Sequence, residues 1–309
     1  MLIHDILGLE HSENIYFVEE SYASLKNISL TLQYLKNIQR DPEAEISAIK
    51  DENDDIMGLV LYNPRTEDSP DFHAIFTNII SSRPVQNEAS RKFSVIAGNL
   101  KLNKTYQTTS REFNDAVIEY FSLALVNRQL CEKCRISKEP YEMVYIKSRS
   151  PKLKELLRKH KLKGSILEIC CGNGMSTLPL HEMGYDPLAT DNDKCQICQG
   201  LEHSVLDPGR TIVLDATVLS QFFPESYFDS IVGFMLGTIY PFNRETWESM
   251  MVEIVRLVKP GGMIMLTVNK KEEIEILRNV LEKNSIKGNL VDNTDADGIY
   301  DQWAYAGYK

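Results

Sequence analysis

Gly164-Ser165-Ile166-Leu167-Glu168-Ile169-Cys170-Cys171-Gly172-Asn173-Gly174 reads as a short buried strand running into a tight glycine turn. A helix is predicted to open behind it at Met175-Ser176-Thr177. A strand, a glycine turn and a helix let backbone N–H groups approach a ligand with no Cβ in the way. That pattern indicates a nucleotide-like cofactor and nothing narrower. The surrounding acids narrow it. Glu168 stands at the turn, Asp191 ends the next apolar run, 185–191, and Asp215 follows Thr211-Ile212-Val213-Leu214. Three acids at successive strand ends suit a ligand with a ribose, an amine and a positive sulfur better than a pyrophosphate.

Strand-like and helix-like segments alternate beyond residue 150, which predicts a parallel sheet with helices on both faces. The expected strands are 165–170, 186–190, 211–214, 230–234 and 263–268, with a helix over 270–284. Strands at 286–291 and 303–308 finish the sheet. Ser150 and Pro151 read as an N-cap residue followed by proline at the first helical position.

From about Ser150 to Lys309 the chain resembles the class I S-adenosylmethionine-dependent methyltransferase family. The family's first motif is acid-x-Gly-x-Gly-x-Gly, and this chain has Glu168-x-Cys170-x-Gly172-x-Gly174. Cysteine is small enough for the turn, although its φ is more restricted than glycine's. The segment 228–234 resembles the family's fourth strand, and 258–266 resembles the turn into the fifth. The resemblance implies an α/β, Rossmann-like fold with a mostly parallel seven-stranded sheet, its last strand, 303–308, antiparallel. It also implies S-adenosyl-L-methionine as methyl donor. The implied cofactor residues are Glu168, Cys170, Cys171, Gly172, Gly174, Asp191, Asn192, Asp215, Ala216 and Phe234. Within that set, Asp191 should hold the ribose hydroxyls and Asp215 with Ala216 should border the adenine. Glu168 should favour the amine, directly or through water. Asp191 has a competing reading as the N-cap of the helix starting near Asp193, and Asp215 one as a turn residue. Met175 and Ser176 are placed either at the methionine end, through backbone atoms, or at an ordinary helix start.

No catalytic base is legible, because a sulfonium methyl group is already activated and transfer needs mainly a positioned acceptor. The segment 233–244 should border the acceptor, with Tyr240 and Arg244 as candidate contacts. His181 and His203 read as surface or helix residues. The expected acceptor is a small molecule. A protein acceptor, or a non-catalytic regulatory protein that binds the donor, are the alternatives.

Residues 1–148 are expected to form a mainly helical domain that covers the pocket and selects the acceptor, or docks a partner; residues 149–309 form the donor-binding domain. Apolar spacing predicts helices over 14–39, 71–82, 91–102 and 110–134, while 56–62 reads equally as strand or helix. Thr109 and Glu112 have the spacing of a capping box. Residues 41–55 carry seven acids and read as a solvated connection.

Composition agrees with an ordinary globular protein: 309 residues, 43% hydrophobic and 25% charged. A net charge of −10 disfavours nucleic acid as a partner. Eight Lys or Arg residues in 147–163 read as a solvated helix face. No apolar run reaches the roughly 20 residues that span a bilayer, and Met1 to Asp5 lacks signal-peptide character, so a cytoplasmic location is expected. Six cysteines fall into three close pairs, Cys131/Cys134, Cys170/Cys171 and Cys195/Cys198. The outer two pairs have zinc-ligand spacing, but both extend apolar helix stripes, so no metal site is expected.

Overall fold

A computed structural model describes residues 2–40, 44–80, 83–84 (backbone), 87–127, 149–295 and 298–309. They separate into two compact units, Met1–Ala124 and Leu125–Lys309. The expected domain boundary near 148 and the pair Cys131/Cys134 lie in or beside residues outside those described.

The first unit holds the largest departure from expectation. Its helices α1 (Ile3–Leu7), α2 (Ser29–Ile38), α3 (Glu88–Gly98) and α4, which begins at Ser110 and runs to Val126, accompany a five-stranded sheet. The strands are β1 (Ile15–Phe17), β2 (Ile46–Lys50), β3 (Ile56–Asn63), β4 (Phe72–Thr77) and β7 (Lys104–Gln107), ordered β1-β4-β3-β2-β7. A two-residue pair, β5 (Ile79–Ile80) and β6 (Arg83–Pro84), forms a separate ribbon. The unit is therefore α/β and not mainly helical. Within the stretch 71–82, expected as helix, Phe72–Thr77 and Ile79–Ile80 are strand. Part of the acidic stretch 41–55 is strand as well.

The physical reason is burial on both faces. Ala48, Leu59 and Phe76 pack with Leu35, Phe93 and Ala97 of α2 and α3. On the other face, a Cβ on Gly58 would meet Phe113 of α4 and Ile49. Strands covered on both sides lose the polar–apolar alternation that identifies a half-exposed strand. The predicted helix over 14–39 breaks into β1, a 3-10 turn at Tyr22–Lys26 and α2, with Ile28 at φ 41° between the last two.

The second unit has the expected architecture. Its strands are β8 (Ile166–Ile169), β9 (Leu188–Asp191), β10 (Thr211–Val213), β11 (Phe228–Gly233), β12 (Val258–Val268), β13 (Lys287–Asp292) and β14 (Trp303–Tyr308). They form one sheet in the order β10-β9-β8-β11-β12-β14-β13. All pairings are parallel except those of β14, which runs antiparallel to both β12 and β13. Helices α5 (Arg149–Lys159), α6 (Thr177–Glu182), α7 (Lys194–Glu202), α8 (Arg244–Leu257) and α9 (Lys271–Lys283) connect them. All four residues of β8 are buried, as a central parallel strand requires.

Two local details differ from expectation. β12 begins at Val258, pairs there with Phe228, and slips register before Met263 pairs with Ser230. Ser150 lies inside α5 and not at its cap; its hydroxyl donates to Glu182 at 3.0 Å. At the amino ends of the central strands, Asp229 accepts from the Ser165 N–H (2.9 Å) and from Lys259 (2.7 Å). Lys259 first, then the Ser165 N–H, holds its carboxyl down at about 2.

Order within the sheet fixes where a ligand can sit. The chain passes from β8 outward through β9 and β10, then crosses back to β11 on the other side of β8. Ligands of open parallel sheets occupy the crevice outside the carboxyl ends of strands at such a reversal.

Candidate functional site

The carboxyl ends of β8 and β9 meet at this reversal. Cys170 leaves β8 in the left-handed region, φ 54°, followed by Gly172 at 55° and Gly174 at 86°. Cysteine thus takes the backbone conformation that glycine adopts without steric cost. Left-handed φ costs an L-residue about 1–2 kcal/mol. Gly174 has no alternative. A Cβ there would lie 2.8 Å from Val205 and Leu206 side-chain atoms.

Replacing Cys170 by glycine is accordingly expected to leave the unfolding temperature unchanged or slightly higher, because relief of strain offsets glycine's extra backbone entropy. Cys170→Val, with a β-branched side chain at the same φ, is expected to lower stability by about 1–3 kcal/mol. Thermal unfolding of the two variants checks both, and equal behaviour would show that the left-handed turn is not retained.

Asp191 clasps this turn from β9. One carboxylate oxygen accepts from Gly172 N–H at 2.9 Å and the other from Asp193 N–H at 2.8 Å. The N-cap of α7 is Asp193, whose carboxylate accepts from the N–H groups of Cys195 and Gln196. The capping reading of Asp191 is therefore excluded. A carboxylate offers about four acceptor positions, so two remain for a ligand beside the turn. Asn192 is exposed next to it.

Glu168 does something different from what its sequence position suggests. Its side chain is 0% exposed, with one oxygen accepting from Ser176 Oγ (2.8 Å) and the other from Thr177 Oγ1 (2.7 Å). Burial raises its carboxyl to about 7, against the opposing effect of those two hydroxyls. It ties the start of α6 to the end of β8. Direct contact with a ligand amine is ruled out by its burial. Ser176 takes part through its hydroxyl, which sequence reading, looking to backbone atoms, did not anticipate.

Asp215 is exposed and caps the 3-10 turn Ala216–Gln221 by accepting from Thr217 N–H and Oγ1, both at 2.8 Å. Its turn reading is thus correct, and Ala216 is buried behind it. Leu214 N–H donates to the Asp191 backbone carbonyl at 2.8 Å, which joins the ends of β9 and β10. Phe234 stands at the end of β11, but its ring lies in the core with Leu153, Leu180 and Met265. It offers the crevice backbone only.

The two adjacent cysteines hold their thiols in the protonated form. Burial first, then the surrounding acids, pushes Cys170 up to about 12. Burial first, then Glu168 and Asp191, also raises Cys171 well above its ordinary value, and it packs with Ile197, Cys198 and Leu206. Among the described residues no cluster of three or more His, Cys, Asp or Glu side chains could hold a metal.

Beyond β11, Tyr240 is 50% exposed and stacks on Phe242, which is 85% exposed, with ring centroids 5.3 Å apart and planes 7° from parallel. Arg244 is paired with Glu248 at 2.7 Å on α8. Its charge is therefore shared within the helix. The segment carrying Tyr240 is anchored by Tyr240 N–H to Asn243 (2.7 Å) and Ile239 N–H to the buried Glu273 (3.3 Å).

Residues 166–262 match the family model described as a methyltransferase domain. Similar solved structures include a protein of Pyrococcus horikoshii (18% identity, 52% of this chain and 89% of that one, TM-score 0.43). They also include an S-adenosylmethionine-dependent methyltransferase from Clostridium acetobutylicum (14% identity, 54% and 92% covered, TM-score 0.42). A third is magnesium protoporphyrin IX methyltransferase from Synechocystis with bound S-adenosylmethionine (15% identity, 52% and 79% covered, TM-score 0.41). Among curated proteins, none matches the chain significantly. No helix of the described residues is long and apolar enough to cross a membrane.

Proposed function

We propose that this chain, whose residues 166–262 match the methyltransferase-domain family, transfers the methyl group of S-adenosyl-L-methionine to a small-molecule acceptor. The observation that carries the reading is the Asp191 clasp on the glycine turn: a carboxylate with two spare acceptor positions, beside backbone held at positive φ. A ribose presents two adjacent hydroxyls, and charge-assisted hydrogen bonds to a carboxylate are the stronger kind. Asn192 and the capped turn at Asp215 and Ala216 would border the base. Glu168 serves the site indirectly, by holding α6 against the turn.

When bound, S-adenosyl-L-methionine would supply a methyl group already activated on a sulfonium, open to in-line displacement by the acceptor with the sulfur leaving as a neutral thioether. The chain's part would be to align the acceptor and give its proton a way out, on the side around Tyr240 and Arg244. The exposed stack of Tyr240 on Phe242 also supports a second reading, in which the acceptor is a protein that covers those rings.

Incubation with radioactive methyl donor separates the readings. Donor turnover that depends on a deproteinised metabolite extract supports the small-molecule acceptor. A discrete labelled protein band supports the second. Neither result, from protein that binds the donor, would leave only a non-catalytic role.

A further inference from the structure

We infer that Asp301 is a positioning residue for methyl transfer, acting through Thr267 on the segment Met235–Tyr240 that bears the acceptor-side residues. This rests on the proposed transfer reaction for its purpose, but its geometry stands independently. Asp301 is wholly buried, precedes β14, and has a left-handed backbone at φ 52°. Arg149, 12% exposed, donates its Nε to one Asp301 oxygen at 2.7 Å. Thr267 Oγ1 donates to the other at 2.5 Å.

That second bond fixes the direction of a hydroxyl. With its proton committed to the carboxylate, Thr267 Oγ1 turns a lone pair toward the end of β11, where it accepts from Met235 N–H at 2.7 Å. The Thr267 backbone carbonyl accepts from Leu236 N–H at 3.0 Å. Met235 is itself left-handed, φ 53°, a conformation a long side chain takes only where surrounding bonds impose it. The two N–H groups that turn the chain off the sheet thus both end on Thr267, a residue that is fully buried in the end of β12. A buried ion pair placed only for stability has no need to direct a hydroxyl at the first residue of this loop.

Hydrogen exchange of the full chain tests the inference, with Asp301→Asn, Thr267→Val and Thr267→Ser as variants. Exchange at residues 235–239 is expected to accelerate roughly tenfold or more in Asp301→Asn and Thr267→Val, while β8 and β9 keep their protection. Thr267→Ser, which keeps the hydroxyl, should restore wild-type exchange. Turnover on the metabolite extract should fall at least about tenfold in the first two variants, with the KM for the donor within about twofold. Unchanged exchange at 235–239 would overturn the inference. So would a uniform rise across the sheet, or Thr267→Ser behaving like Thr267→Val. If the wild type itself gives no turnover, the transfer reading fails, and the exchange data still decide whether Asp301 sets this loop.

Discussion

Asp191→Ala is expected to weaken binding of S-adenosylhomocysteine at least tenfold, about 1.4 kcal/mol. Two effects act together. The variant loses the acceptor positions left for the ribose, and it releases the N–H groups of Gly172 and Asp193 that the carboxylate now holds. Hydrogen bonds to charged groups are worth about 1.5–3 kcal/mol each, so a loss well beyond tenfold fits the same account. Asp191→Asn keeps one carbonyl oxygen and should retain part of the affinity. Calorimetric titration of folded variants measures both, and an alanine variant that binds within twofold of wild type would remove Asp191 from the site.

Glu168→Gln is expected to make the protein more stable than wild type at pH 8 and about equal to it at pH 4.5. The folded carboxyl titrates near 7, against 4.5 when free, because burial disfavours its charge. As pH rises from 4.5 to 7 the unfolded chain releases this proton while the folded protein keeps it. Folding stability attributable to Glu168 is therefore full below about 4.5 and lost as pH climbs through 7. The size of the loss, for a shift of this order, is about 3 kcal/mol. Glutamine retains the shape, stays neutral, and still bonds to the hydroxyls of Ser176 and Thr177, so it removes that dependence. Urea unfolding of both proteins at several pH values gives the answer. Parallel curves for variant and wild type would mean that Glu168 stays ionised or solvated in the fold.

Much of the second unit was legible because its signals are local. A strand apolar but for Glu168, positive-φ turn residues and an acid at the next strand end sit close together in the chain. Boundaries moved by a few residues, as at β9 and β11, where a strand's ladder rather than its apolar run sets the end. The first unit was not legible for the opposite reason. β3 and β4 are covered on both faces, so 56–62 reads equally as strand or helix and 71–82 as helix, while flanking acids disguise β2 as a solvated connection; only the pairing of distant segments reveals a sheet.

The site divides in the same way. Asp191, Gly172, Gly174 and Asp215 each belong to a short motif, so sequence could propose them as donor-binding candidates, and the structure places them near the carboxyl ends of β8, β9 and β10. The position of Phe234 after β11 does not reveal that its ring turns into the core. The burial of Glu168 by Ser176 and Thr177 was also hidden, although hydroxyl residues eight and nine positions beyond an acid at the turn were a signal that could have been weighed. Arg149, Met235, Thr267 and Asp301 share no motif, and no spacing in the chain announces that they meet.

Titration of the wild-type protein with S-adenosylhomocysteine bears most directly on the central claim. The account predicts saturable binding at one site per chain with an affinity around micromolar, accompanied by a higher unfolding temperature when the ligand is in excess. Absence of both heat and thermal stabilisation, in protein shown to be folded, would contradict it.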